Sequence, residues 1–303
     1  MAISRAQLVK ELEPGLNALF GLEYKQYENQ HSEIYTSESS DRAFEEEVML
    51  SGFANAQVKG EGSGVSFDEA QETFSARYTH ETVALAFAIT EEAIEDNLYD
   101  RIASRYTKAL ARSMSNTKQV KAVEPLINSL PTTDGFDSGD GVSLFSTAHP
   151  TIAGTYKNTL SAQADLNETS LEQSLIDIAA MTDERGLRIA ARGVKMIIPS
   201  KLQFTAERLM KSQGRTATAD NDINAIASMG MIPQGYRVNN YLTDDDAFYI
   251  ITDVPNGMKM FNRAPLTTAM EGDFDTGNVR YKARERYSFG VSDPRGIFGV
   301  EGA

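Results

Sequence analysis

The chain contains no cysteine. That excludes disulfides, thiolate zinc sites and cysteine nucleophiles, and it leaves the redox compartment unread. Its apolar runs fall far short of the roughly 18 residues that cross a bilayer. Residues 1–10 lack the apolar stretch of a secretion signal. Histidine is scarce, and His31, His80 and His149 stand in different segments without metal-ligand spacing. Positive charge is in deficit: 29 Lys and Arg against 43 Asp and Glu leave a net charge of −14. A protein that grips nucleic acid needs basic stripes to neutralise phosphates, so this balance opposes a general nucleic-acid binder. Acidity also keeps a concentrated protein soluble. What is there is ordinary for a folded chain: 303 residues, 41% hydrophobic and 24% charged, enough for a real core in two domains or one elaborated domain. The reading is of a soluble globular protein made in the cytoplasm.

The most informative stretch runs from residue 44 to 115. Two strand-like runs, 45–58 and 65–89, flank Lys59-Gly60-Glu61-Gly62-Ser63-Gly64. The second alternates Phe74, Ala76, Tyr78 and His80, then shifts phase to Val83, Leu85, Phe87 and Ile89, as a half-buried strand does. The outer part, residues 54–73, is rich in Glu, Gln, Ser and Gly. A two-stranded ribbon without its own core is marginal in water and leaves unpaired edges for other chains. Another copy of the same chain is the economical partner, which points to assembly rather than chemistry. Thr90 then caps a long helix with Glu91 and Glu92 in its first turn and Ile94, Leu98, Ile102, Tyr106 and Leu110 as its stripe. Pro125 ends or kinks it.

Elsewhere, residues 4–20 carry a loose helical stripe interrupted at Pro14-Gly15, and 24–41 read as an extended arm. Residues 131–160 read as a long surface loop with an apolar island at 142–145. A second helix begins near 167–170 with a capping pattern Ser170-x-x-Gln173 and ends at Gly186. Residues 194–198 form a buried-type strand, 202–211 a short helix with Phe204 and Leu209 inward, and 212–224 a polar loop. The last part is β-rich over 236–242, 248–253, 258–262, 279–291 and 296–300. Strands and helices without regular alternation argue for an α+β fold.

Candidate chemistry is thin. Gly60, Gly62 and Gly64 fit neither the dinucleotide nor the phosphate-loop spacing, and Glu61 repels phosphate; a flexible hairpin tip is the better reading. Asp244, Asp245 and Asp246 are consecutive rather than spaced like calcium ligands, and read as a solvated turn. Ser146 and His149 share a loop, but no Gly-x-Ser-x-Gly surrounds the serine and no acid is nominated to orient the histidine. The cations of the long helix alternate with acids and read as a solvated face. No catalytic residue, cofactor or metal is expected.

The order of elements resembles the major capsid protein of tailed bacteriophages with the Hong Kong 97-type fold, and more narrowly the head-subunit group of Mu-like phages. The phrases that carry the resemblance are Leu16-Asn17-Ala18-Leu19-Phe20-Gly21, Phe44-Glu45-Glu46, Lys59-Gly60-Glu61-Gly62 and Ile89-Thr90-Glu91-Glu92-Ala93-Ile94-Glu95-Asp96-Asn97. Leu144-Phe145-Ser146-Thr147-x-His149-Pro150, Asp183-Glu184-Arg185-Gly186 and the segment 286–299 follow.

The resemblance implies an N-terminal arm (1–43), an extension-loop hairpin (44–89), a spine helix with part of a peripheral domain (90–165), an axial domain (166–253) and late peripheral strands (254–303). It implies a structural subunit that self-assembles into hexamers and pentamers of an icosahedral shell around double-stranded DNA, without specific DNA binding and without a membrane. The expected location is the virion, with assembly in the bacterial cytoplasm. The tip residues Val58, Lys59, Gly60, Glu61, Gly62, Ser63 and Gly64 are expected at an inter-subunit contact, and Gln213, Gly214, Arg215 and Thr216 at the capsomer axis. A portal belongs to the expected partners, with a decoration protein as an optional one. The arm begins at once without a long charged leader, so a separate scaffolding protein is expected too. Lys59 has no assignable asparagine partner, so crosslinking is not expected. The alternatives are an encapsulin-like cargo shell and, in a different class, a soluble hydrolase using Ser146 and His149.

Overall fold

Side-chain alternation on one strand sets out the architecture. In β11 (Val279–Val291), Tyr281, Ala283 and Tyr287 are buried, while Arg280, Lys282 and Arg284 between them are exposed. Period-two burial needs a packed layer on one face only. That layer is helical: α1 (Arg5–Gln26) and α2 (Tyr99–Ile127) bring Leu16, Phe20, Leu110 and Met114 onto Tyr281 and Ala283. The computed structural model describes residues 5–90, 92, 99–131, 136–214, 222–273 and 277–303. Most of the expected first turns of the long helix, 91 and 93–98, lie outside the described residues.

The first sheet has the order β1-β10-β11-β4, with β1 (Thr36–Ser39) parallel to β10 (Met258–Gly272), and β11 antiparallel to β10 and to β4 (Glu81–Ile89). The second has the order β12-β9-β7-β8, from β7 (Gly193–Ile198), β8 (Tyr236–Val238), β9 (Phe248–Thr252) and β12 (Ile297–Val300). β7 is buried on both faces. Met196 and Ile198 join a cluster with Leu171, Ile178 and Phe298, and Ile197 joins another with Leu126, Tyr249 and Met260. That second cluster ties the C-terminal half of α2 to both sheets. α3 (Glu168–Ala179), α4 (Gln203–Lys211) and α5 (Ala225–Met229) complete the outer part of the second sheet.

Several local expectations give way to tertiary packing. Pro14 lies inside α1, which continues to Gln26, because burial of Leu16 and Phe20 outweighs the one backbone bond a proline removes. The supposed single run 65–89 is two strands: β3 (Glu72–Thr79) pairs with β2 (Phe44–Leu50), and β4 pairs with β11. The phase shift at His80 is the change of sheet. Pro125 does not end α2, which runs two residues further. The cap of α3 is Asn167, whose Oδ1 accepts from Ser170 N at 2.8 Å while Ser170 Oγ accepts from Asn167 N at 3.0 Å. That helix ends at Ala179, and Gly186 instead occupies a turn with φ +80. The expected strand 258–262 extends to Gly272, because β11 gives it a long antiparallel partner. Phe204 faces solvent, 74% exposed, and only Leu209 of the expected pair turns inward. The loop 131–160 is not a surface loop: Leu144, Phe145, His149 and Asn158 are buried within it.

Candidate assembly surfaces

The root of the hairpin is pinned to the first sheet through buried polar contacts. Tyr78 Oη and Ser292 Oγ share a hydrogen bond of 2.5 Å, and the Tyr78 ring meets Phe261 edge-on at 4.8 Å. His80, between β3 and β4, has Nδ1 3.0 Å from Ser288 Oγ and Nε2 2.9 Å from Ser40 Oγ. Lys259 Nζ lies 2.5 Å from Glu47 on β2 and 3.2 Å from Glu38 on β1. Burial alone would lower the Lys259 pKa, but the two carboxylates outweigh it and raise it.

Past Leu50 and Glu72 the ladder stops. Ser51 N still donates to Gln71 O at 2.8 Å, and residues 52–71 have no strand pairing. Here Phe53, Val58, Val65 and Phe67 are exposed, Val58 and Phe67 almost fully. The tip is a small turn in which Ser63 N and Oγ both donate to Gly60 O, at 3.2 and 2.7 Å, with Gly62 at φ +78. Glycine is needed there because a Cβ is strained in the left-handed region. Val58, Lys59, Gly60, Glu61, Gly62, Ser63 and Gly64 thus stand together at one projecting, solvent-facing turn. Within the chain the outer hairpin meets Arg185, whose guanidinium is 3.7 Å from Asp68 and donates to Glu69 O.

Of the four expected axis residues, Gln213 and Gly214 are described, and Arg215 and Thr216 lie outside the described residues. The loop's neck is closed by a bridge between Gly214 and Ile223, by Asn224 N donating to Gln213 O at 3.2 Å and by Asn224 Nδ2 donating to Leu209 O at 2.6 Å. Around this neck Phe204, Ile223 and Met229 are exposed, an apolar group that the sequence reading missed. It also missed a row of cations on β11, although the alternation Arg280-x-Lys282-x-Arg284-x-Arg286 is visible in the sequence.

The residues of the hydrolase alternative have structural partners. His149 is fully buried and stacks on Tyr156, with ring centroids 4.9 Å apart. Its Nδ1 is 2.7 Å from Asp140 Oδ2 and its Nε2 2.9 Å from Asn158 Oδ1, while Ser146 Oγ accepts from Ala148 N at 3.2 Å. The orienting acid absent from the sequence reading is Asp140, but the far nitrogen faces Asn158 rather than the serine. Beyond Tyr156, Arg295 lies 4.1 Å over the ring and pairs with Glu184 at 2.7 Å, so the whole stack welds the loop to the second sheet. Asp244 Oδ1 accepts from Asp246 N and Ala247 N, and Lys201 pairs with Asp245 and Asp246, as in a solvated turn. Among the described residues no group of three His, Asp or Glu side chains is arranged to hold a metal ion, and no helix is long and apolar enough to cross a membrane.

A long hairpin on a long helix, a first sheet packed on that helix and a second sheet with its own helices define the Hong Kong 97-type fold of phage capsid subunits. The family described as phage capsid protein matches residues 73–300, and the chain belongs to it. It is a structural subunit of a capsid shell, a virion protein that assembles with copies of itself. Solved structures share the fold at low sequence identity. The virus-like particle from Pyrococcus furiosus superposes with a TM-score of 0.55 at 11% identity, covering 95% of this chain and 98% of that one. The capsid of Myoviridae phage XM1 gives 0.56 at 10%, covering 89% of each. A structure from Mycobacterium phage Ogopogo gives 0.54 at 12%, covering 91% and 92%. No curated protein sequence matches the chain.

Proposed function

We propose that the chain is the major head subunit of a tailed phage, closing as hexamers and pentamers into an icosahedral shell around double-stranded DNA. The observation that carries this is the outer hairpin: residues 52–71 have no ladder and expose Phe53, Val58, Val65 and Phe67. An extended arm of that kind is held by a neighbour, and heterologous contacts of this type close into rings and shells. We assign residues 1–43 as the arm, 44–80 as the extension loop and the first sheet with α1 and α2 as the peripheral domain. The second sheet with α3 to α5 is the axial domain. Because β12 pairs with β9, we include residues 297–300 in the axial unit. Gln213, Gly214, Arg215 and Thr216 are then placed toward the capsomer axis. The shared phrases support kinship with the Mu-like head subunits. Assembly in the host cytoplasm with a portal and a separate scaffolding protein, and an optional decoration protein outside, belong to the same reading. So does the absence of enzymatic activity.

Deleting residues 54–73 tests it. Expressed wild-type chain should give closed hollow particles by electron microscopy, whereas the deletion should give a folded monomer or small oligomer. Normal shells from the deletion would sink the role of the hairpin, and a stable wild-type monomer would sink the shell reading. The contents of purified particles, DNA or protein cargo, separate a phage head from an encapsulin-like compartment.

A further inference from the structure

The open face of the first sheet carries a row of cations, in a chain whose net charge is −14. Arg280, Lys282, Arg284 and Arg286 alternate on β11 and therefore share one face, about 6.8 Å apart. Their neighbours in register are small: Ala88, Ala86 and Ala84 on β4, and Ala269 and Thr267 on β10. Short side chains on both flanks leave the row standing in a shallow channel. Asp273 takes up Arg280. Among the described residues no carboxylate pairs with Lys282, Arg284 or Arg286, and the Arg286 Nε–H is buried without a hydrogen-bond partner.

What covers the same face at its other end is visible within the chain. There the acidic ribbon lies on the sheet: Glu47 pairs with Lys259, which is opposite Gly290 in register, and His80 bonds Ser288. The Tyr78 ring rests against Gly290, where an added Cβ would come within 2.6 Å. Residues 44–73 carry seven carboxylates against the single Lys59. Of the outer acids, Asp68 is engaged by Arg185, and Glu61, Glu69 and Glu72 form no side-chain ion pair among the described residues.

We propose that the row Lys282–Arg284–Arg286 seats the acidic outer hairpin, residues 54–73, of a second copy of the chain. This rests on the reading that the hairpin reaches a neighbour, and adds which surface receives it. The contact continues across the sheet the chemistry that Glu47 and Lys259 establish inside one chain. Like-charge spacing along two extended segments matches, since alternate residues repeat at the same distance in both. Encounter of such surfaces is steered by charge and weakens as salt rises.

Charge exchange in the full chain decides the matter. Lys282→Glu with Arg284→Glu, and separately Glu61→Lys with Glu69→Lys and Glu72→Lys, should each lower the yield of closed particles at least tenfold. The five changes combined should restore it. Absence of native cysteine permits a second, milder readout: chains carrying Arg284→Cys assembled with chains carrying Glu69→Cys should give an inter-chain disulfide dimer on a non-reducing gel. Should a reversal variant fail to fold, as judged by its thermal melt, the cysteine pair decides alone. Reversals that assemble like wild type, or a combination without rescue and without the disulfide, overturn the proposal. Normal shells from the β11 reversal that no longer retain DNA overturn it too, and assign the row to nucleic acid. If deleting 54–73 abolishes shells while the row reversals are silent, this inference fails and the role of the hairpin stands.

Discussion

His31 is held where a proton is unwelcome. It packs edge-on against Phe289, its backbone N–H donates to Gln119 Oε1 at 2.9 Å, and Lys118 is close by. Burial first, and the Lys118 charge second, push its pKa down to about 4, against a partial offset from Gln119. The unfolded chain therefore binds a proton that the folded chain refuses, and stability present above about pH 6.5 drains away as pH falls toward 4. His80, also lowered chiefly by burial, adds to the same slope. Urea unfolding of unassembled His31→Gln between pH 7 and 4 should show a slope shallower than wild type by up to about 1.4 kcal/mol per pH unit. An unchanged slope would place the titration elsewhere.

Lys118 carries a second residue-scale test. Its ammonium lies 3.2 Å from Glu285, whose side chain is 3% exposed and whose pKa burial raises despite that partner. Lys118→Met leaves the carboxylate buried and unpaired, so chemical denaturation should show a loss of about 3 kcal/mol. A loss below about 0.5 kcal/mol would class the pair with surface bridges.

At the scale of elements, the hairpin root and the sheet are fitted to each other by what they omit. Gly290 lets the Tyr78 ring lie flat on β11, and Gly257 and Gly296 approach so closely that a Cβ on either falls within 2.7 Å of the other's backbone. Gly290→Ala should lower stability by about 1–3 kcal/mol, the usual range for overpacking. Limited proteolysis should then cut more readily near residues 44–50, because the ring is displaced from its seat. Unaltered cleavage would show that the ribbon is held by its ion pairs alone.

For the whole molecule, the two clusters of exposed features have different jobs. Phe204, Ile223 and Met229 sit on the second sheet's helices and around the neck of the 212–224 loop, away from the polar row on β11. Their exposure means that Phe204→Ser and Ile223→Ser should leave the unassembled chain within about 0.5 kcal/mol of wild type. If the loop lies at the capsomer axis, the same changes should slow or abolish capsomer formation in a sedimentation assay. Wild-type assembly from the double variant would remove this surface from the axis.

The sequence by itself determined the parts whose signal is local. The period-two runs in β4, β7 and β11, the acidic glycine-tipped hairpin, the absence of cysteine chemistry and the order of the family phrases are all legible without coordinates. Only the tertiary structure decided which faces those parts show. Nothing local says that Phe204 points outward, that 131–160 is threaded through the core by Leu144 and His149, or that Asp140 is the partner of His149. Pro14 reads as a break until the sheet on which Leu16 and Phe20 pack is known. The split of 72–89 into strands of two sheets depends on β11, some two hundred residues away, which gives β4 its partner. Such pairings are fixed by long-range burial and register, and these act between segments that the chain order does not bring together.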